Sequence, residues 1–341
     1  MFNKSLVSLL AAGACAAAFF VSSTVEAQQG KGKGPGAPQA EPKGPAEPNL
    51  GNAEIHTLKV QGNVYMLYGP NTNMALQIGP SGVLVVDAMY AQLSARVLAE
   101  IRKLSDKPLR YIINTSADLH HVGGNYALNR AGQPIVGGNL GQAAFDRGAT
   151  IVAHENVLNR MSAPSGQVPP FPEGWWPGTT YFEGNKEIYF NGEAVIVMQH
   201  KGHSDGDSIV HFRGSDVVAT GDLFNTTTYP VINLAAGGSI HGEIAGLNQI
   251  LDIAIPEHEQ EGGTQIIPGS GRLGEEHDVL EYRDMVTIIR DRVQAMILKN
   301  MTLDQVQASN PTKEYDPRWG TKTGPWTTAM FVESVFRSLK K

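Results

Sequence analysis

Two adjacent histidines and an aspartate fall within four residues of Asn114-Thr115-Ser116-Ala117-Asp118-Leu119-His120-His121-Val122-Gly123-Gly124-Asn125. A largely apolar run, Leu109 to Ile113, precedes them and reads as a buried strand, and a diglycine follows at once. Side chains that bind divalent metals are therefore crowded onto a tight turn at a strand end. Loops held by a rigid scaffold carry chemistry at such places.

The stretches around this turn restrict the fold. Short β-rich runs come first: Val64 to Tyr68, Met74 to Ile78 and Val83 to Asp87, punctuated by Gly, Pro and Asn as in a meander. Ala91 to Lys103 has helical spacing, with Leu93, Val97, Leu98 and Ile101 on one face. Gly141 to Asn159 is read as helical. A second β block covers Glu187 to Phe190, Ala194 to Gln199, Ser208 to Phe212 and Val217 to Thr220. Helical patterns follow at Gly242 to Ile253 and Glu276 to Lys299, with a short strand, Thr264 to Ile267, between them. Leu303 to Ala308 and Thr327 to Leu339 close the chain as helices. The order is thus β-rich, αβ, β-rich, αβ, which predicts two sheets packed face to face with helices outside both.

The N-terminus has the pattern of an export signal. Lys4 is followed by an apolar stretch, Leu6 to Val21, and by Val25-Glu26-Ala27, a small-residue cleavage site before Gln28. An uncleaved membrane anchor is the alternative, and only then would the chain meet a membrane. The expected location is periplasmic or secreted. Cys15, the one cysteine, lies inside this segment. A mature chain would then lack thiolates, and metal binding must rest on His, Asp and Glu. Residues 28–52 are rich in Gly, Pro, Lys and Glu and read as a disordered linker. The remaining organisation is one domain over 53–341, with 300–341 a helical extension. Net charge is −6, from 27 basic and 33 acidic residues, with no basic patch. Nucleic acid is therefore not an expected partner; a small-molecule substrate is. Oligomeric state is left open. The loop Met161 to Thr180, carrying Trp175-Trp176, is either a lid or a segment pinned by aromatic burial.

Further apolar runs also end in polar loops. Val195 to Met198 leads to Gly202-His203-Ser204-Asp205-Gly206-Asp207-Ser208, Val217 to Thr220 to Gly221-Asp222, Gln265 to Ile267 to Pro268-Gly269-Ser270-Gly271, and Val83 to Val86 to Asp87. With these motifs in order, the chain resembles the metallo-β-lactamase-fold superfamily over about residues 55 to 300. That family shows Thr-His-x-His-x-Asp-His-x-Gly-Gly, Gly-His-(Ser/Thr)-x-Gly-Asp, Gly-Asp and Pro-Gly-His-Gly. The resemblance implies an α+β fold, a four-layer αββα sandwich. His121, His203 and Asp222 keep the family identity. Ser116 replaces the first family histidine, Asp118 the second, His120 the aspartate, and Ser270 the last histidine.

Carried over by position, the resemblance implies one metal site of Asp118, His203 and Asp222 and a second of His120, His121 and Asp222. Asp87 would support the metal loop from behind. Three ligands with an open position suit a catalytic ion, zinc first, with iron or manganese as alternatives and one or two ions in total. The implied function is an exported metal-dependent hydrolase. A metal-bound hydroxide would attack an ester, thioester, lactone or amide carbonyl, with Asp118 or His120 handling protons. Two rivals stand beside it: a non-catalytic binding protein on the same fold, suggested by Ser116 and Ser270, and a non-haem iron oxidoreductase. Each residue also has a structural alternative. His120 and His121 could be hydrogen-bonded core residues, His203 a structural histidine, and Asp222 a turn cap. His154, His200, His211, His241 and His277 lie off the motif positions.

Overall fold

Val83, Leu84, Val85 and Val86 are all fully or almost fully buried. A strand with no exposed face must lie between two packed layers. In the computed structural model, which describes residues 44–135, 148–162 and 171–340, this strand sits inside a seven-stranded sheet. The sheet contains β1 (His56–Gln61), β2 (Val64–Gly69), β3 (Thr72–Gly79), β4 (Gly82–Val86), β5 (Leu109–Ile113), β6 (Thr150–His154) and β7 (Thr179–Tyr181), in that spatial order. β1 to β4 form an antiparallel meander, and β4 to β7 pair in parallel.

A second sheet has five strands. They are β8 (Asn185–Phe190), β9 (Glu193–His200), β10 (Asp207–Phe212), β11 (Val217–Ala219) and β12 (Gln265–Ile267). Only β11 and β12 are parallel there. The helices that cover the sheets are α1 (Ser94–Leu104), α2 (Leu119–Val122), α3 (Asn125–Ala131), α4 (Glu155–Ser162), α5 (Ile240–Ile253), α6 (Glu276–Leu298), α7 (Leu303–Ala308), α8 (Asp316–Trp319) and α9 (Thr328–Leu339).

Side-chain alternation assigns the layers. Leu84 and Val86 point between the sheets, where they meet Val195, Val197, Val210 and Phe212. Val83 and Val85 point outward against Val97 and Ile101 of α1 and Leu128 of α3. On the second sheet Val210 faces inward, while its neighbour Ile209 faces Ile240, Leu247 and Ile250 of α5 and Val286 and Ile289 of α6. The architecture is therefore the expected αββα sandwich. Burying a large aliphatic side chain contributes about 1.5–3 kcal/mol, so three contiguous layers of such residues dominate the stability. The C-terminal segment is part of this packing, since Phe331, Val332, Val335 and Phe336 of α9 join the outer core with α5 and α6.

Two expectations are corrected. Of the segment read as a helix, Gly141 to Asn159, residues 141–147 lie outside the described residues, Thr150–His154 is strand β6, and Glu155–Ser162 is helix α4. The β-branched core of Thr-Ile-Val-Ala-His fits a buried strand between β5 and β7, and that pairing overrides a marginal helical spacing. At the end of the Gly/Pro-rich segment, residues 47–51 are anchored rather than free. The Glu47 carboxylate accepts the backbone N–H groups of Ala91 and Gln92, and Arg96 donates to the carbonyl of Leu50.

Trp175 is buried against Ala117, Val122 and Met161, which pins that part of its loop. Met1 to Lys43, with the export pattern and Cys15, lies outside the described residues, as do 136–147 and 163–170. Among the described residues no helix is long and apolar enough to cross a membrane.

Candidate metal centre

The motif loop is closed by its own ends. Asn114, directly after β5, donates to Oδ1 of Asn125 at 3.0 Å, and Asn125 donates back to Oδ1 of Asn114 at 2.8 Å. Asn114 also donates to the His121 carbonyl. The diglycine is dictated by a close approach: a Cβ on Gly124 would lie 2.2 Å from the Ala88 carbonyl oxygen. Asp118 then stands at the start of the short helix α2, its carboxylate turned to His203 and not to the helix end, and α2 carries His120 and His121 on successive positions.

Behind this loop stands Asp87, at the end of β4 with a left-handed φ of 69°. Its carboxylate accepts the Thr115 backbone N–H at 2.8 Å and the Thr115 hydroxyl at 2.8 Å. It also pairs with Nδ1 of the fully buried His121 at 2.7 Å. Asp87 therefore fixes the ring so that Nε2 faces forward.

The second sheet delivers the other half. His203 follows β9, and its Nδ1 donates to the Val231 carbonyl at 2.6 Å, which again turns Nε2 into the site. Asp222 follows β11. It is preceded by Gly221 at φ 52°, where a Cβ would meet the Thr115 hydroxyl at 2.5 Å.

These side chains converge. His120 Nε2 lies 3.1 Å from Asp222 Oδ1, and His121 Nε2 lies 3.0 Å from Asp222 Oδ2. His203 Nε2 is 2.9 Å from Asp118 Oδ2 and 3.6 Å from Asp222 Oδ2. Two trios result, His120/His121/Asp222 and Asp118/His203/Asp222, and the donor atoms within each lie within 4.8 Å of one another. Asp222 belongs to both. The five residues carried over from the motifs thus come together from loops at the strand ends of both sheets. His154, His200, His211, His241 and His277 belong to neither trio.

Serine takes no part in either trio. The Ser116 hydroxyl accepts the Asp118 backbone N–H at 3.3 Å, so it shapes the turn. Ser270 bridges to Asn225 through the backbone at the far side.

The electrostatics are those of imidazoles pressed against carboxylates. Burial opposes a charge on His121, yet Asp87 and Asp222 outweigh it and hold its pKa well above the usual range. His203 is raised in the same way, its burial overcome by Asp222 and Asp118. Asp222 is held well below the carboxylate range, because His121, His120 and His203 outweigh its burial. The donor set therefore fits a divalent cation. Anionic oxygens and oriented imidazoles sit together out of bulk water, and a cation would replace the protons that now bridge them.

Three contributors were not read from the sequence, Val231, Tyr90 and Glu243, and a fourth, Asp207, was read only as a motif position. Val231 acts through its carbonyl, which no side-chain pattern reveals. Tyr90 stands with its ring 6.1 Å from that of His120. Asp207, fully enclosed, accepts the Ser204 backbone N–H and hydroxyl, and burial pushes its carboxyl up to about 6. Glu243 on α5 is entirely buried behind the His203 loop. That last residue had a signal: it interrupts the apolar face defined by Ile240, Leu247 and Ile250.

A four-layer αββα sandwich with a His/Asp cluster at its strand ends defines a metallohydrolase-like class. The family model of the metallo-β-lactamase superfamily matches residues 67–250, and the chain belongs to that superfamily. No curated protein matches it. Among solved structures, a metallo-β-lactamase from Pontibacter korlensis is 12% identical with a TM-score of 0.51, over 69% of this chain and 99% of that one. The stereoselective inverting sec-alkylsulfatase Pisa1 from Pseudomonas sp. is 13% identical with a TM-score of 0.58, over 83% of this chain but 50% of its own length. At such identities the likeness is one of fold.

Proposed function

We propose that this protein is an exported metal-dependent hydrolase acting on an ester, thioester, lactone or amide carbonyl of a small molecule. One observation carries the reading: two trios of His and Asp ligand atoms, each within 4.8 Å of one another, share Asp222. Zinc suits both trios, with iron or manganese as alternatives, and the number of ions is one or two. A divalent ion held there supplies Lewis acidity, lowering the pKa of a bound water and polarising the bond under attack.

The chain's own residues do the rest. Asp87 and the Val231 carbonyl lock the rings of His121 and His203. Asp118 is the most exposed ligand, at 38% of its side chain. Burial opposes its ionisation, but the hydrogen bond and charge of His203 hold its pKa below the ordinary value. It is therefore anionic at neutral pH and placed to receive the proton of the attacking water. His120, on the opposite trio, is the second group able to move a proton. The export assignment rests on the N-terminal sequence pattern alone.

The test is metal analysis of purified protein after expression with zinc, iron and manganese, for wild type and for His121→Ala and Asp222→Ala. Stoichiometric metal is expected in wild type. Loss of one trio's metal is expected in the first variant and of both in the second. Unchanged content in both variants would show that these are not the ligands, and no stoichiometric metal in wild type would sink the enzyme reading. The His120/His121/Asp222 trio is also a two-histidine, one-carboxylate set of the kind that binds non-haem iron. Iron-dependent oxygen uptake would favour that second reading.

A further inference from the structure

A cavity of about 400 Å³ opens directly onto Asp118 and His203. Its size falls within the roughly 300–1,000 Å³ of small-molecule sites. One wall comes from the loop after Asp222, including the buried Ile232. The opposite wall comes from the end of the chain: Trp326, just before α9, and Met330 on its first turn. These residues lie outside the 67–250 stretch that defines the family. The metal-site ligands and the C-terminal helix therefore face each other across one space.

The chemistry of the walls selects an occupant. Beyond the ligands the lining is largely apolar, with Val231, Ile232, Leu234, Trp326 and Met330, the kind of pliable surface that adapts to a flexible hydrocarbon chain, and its neutral polar groups are Asn233 and Ser334. Apart from Asp118 and His203, the charged residues of the lining are Glu333 and Arg337. These two pair with each other at 2.7 Å across one helical turn. Their charges cancel, so neither is left to recruit an ionic group at the distal end of a ligand. Met330 remains 40% exposed although it is apolar, as expected of a side chain waiting for an apolar contact.

We propose that this cavity is a subsite for an uncharged apolar acyl or alkyl tail, and that Trp326 and Met330 set the chain length accepted. The inference rests on the hydrolase reading for the scissile group but not for the tail. A substrate would place its reacting carbonyl at Asp118 and His203 and lay its hydrocarbon chain along α9.

The experiment titrates butyrate, hexanoate and octanoate into the metal-replete full chain by calorimetry, beside hydrolysis of p-nitrophenyl acetate, butyrate and octanoate. Burial of each methylene is worth up to roughly a factor of four in affinity. Octanoate should therefore bind at least about tenfold tighter than butyrate. Met330→Asp, at a partly exposed position that tolerates a charge, and Trp326→Ala should each remove most of that gain while metal content stays constant. Equal affinity for the three acids, including no binding of any, overturns the proposal, and so does a chain-length gain that survives both substitutions. Chain-length-dependent binding without turnover of any ester would keep the subsite and remove the hydrolase reading. Turnover indifferent to chain length would do the opposite.

Discussion

Replacing Glu243 with Gln should make the protein more stable, by an amount that grows with pH. Glu243 is fully buried on α5, and neither carboxylate oxygen has a hydrogen-bond partner among the described residues. Burial, reinforced by the charge of Asp207, raises its pKa well above the 4.5 of a free glutamate. In the unfolded chain the carboxyl ionises near that ordinary value, whereas in the folded chain it keeps its proton to higher pH. Its contribution to stability is complete below 4.5 and is lost as pH rises toward the folded-state value. Within that window the loss is about 1.4 kcal/mol per pH unit. Glutamine has nearly the same shape and no ionisation, so the slope disappears. Urea unfolding of both proteins at pH 5, 6 and 7, stripped of metal to isolate the side chain, measures the difference. The advantage of the variant over wild type should widen with pH, by at most about 1.4 kcal/mol per unit. Stability curves that run parallel across this range would show that Glu243 is solvated or paired in the folded protein and would refute the reasoning.

Asp87→Asn should leave the fold intact but weaken metal binding about 10- to 100-fold, because His121 loses the carboxylate that orients its ring. Competition with a chelator measures this, and an unchanged dissociation constant contradicts it. Gly124→Ala should lower stability by about 1–3 kcal/mol, since its Cβ would press on the Ala88 carbonyl; an unaltered thermal midpoint would rule out the close approach. Metal binding near neutral pH should release protons, because the carboxylates hold His121 and His203 above the usual imidazole range in the metal-free site. Affinity should accordingly fall as pH drops. Calorimetric heats that do not depend on the buffer's ionisation enthalpy would contradict the protonated state.

The layers were legible because short apolar runs and turn residues report on local backbone, as in Val83 to Val86 before Asp87, although which of those four side chains faces which layer was not. β6 was not, since Ile151-Val152-Ala153 is short and only its pairing with β5 and β7 makes it a strand. Among the site residues, His121 and Asp222 stand on motif positions next to strand ends. Their meeting at 3.0 Å across about a hundred residues is a property of two sheets packed together, which no single stretch encodes. The same holds for the wall made by Trp326 and Met330, placed by docking of α9 on α5 and α6. The Val231 carbonyl leaves no trace in sequence at all. Glu243, by contrast, leaves a signal that was not used, an acid on an apolar helical face, whereas Glu47 reaches the turn before α1 from a segment whose composition reads as a linker.

The two oxygens of Asp222 are divided between its neighbours: Oδ1 toward His120, Oδ2 toward His121 and His203. The outer ligands each answer to one ion, so Asp118 and His120 can exchange carboxylate for imidazole and the number of carboxylates is conserved. Asp222 has no such latitude. Any replacement there alters both halves together, and rotation of its carboxylate on filling one half changes what the other half is offered. Were both halves to take an ion, Asp222 would couple them, and the affinity of the second would depend on the first.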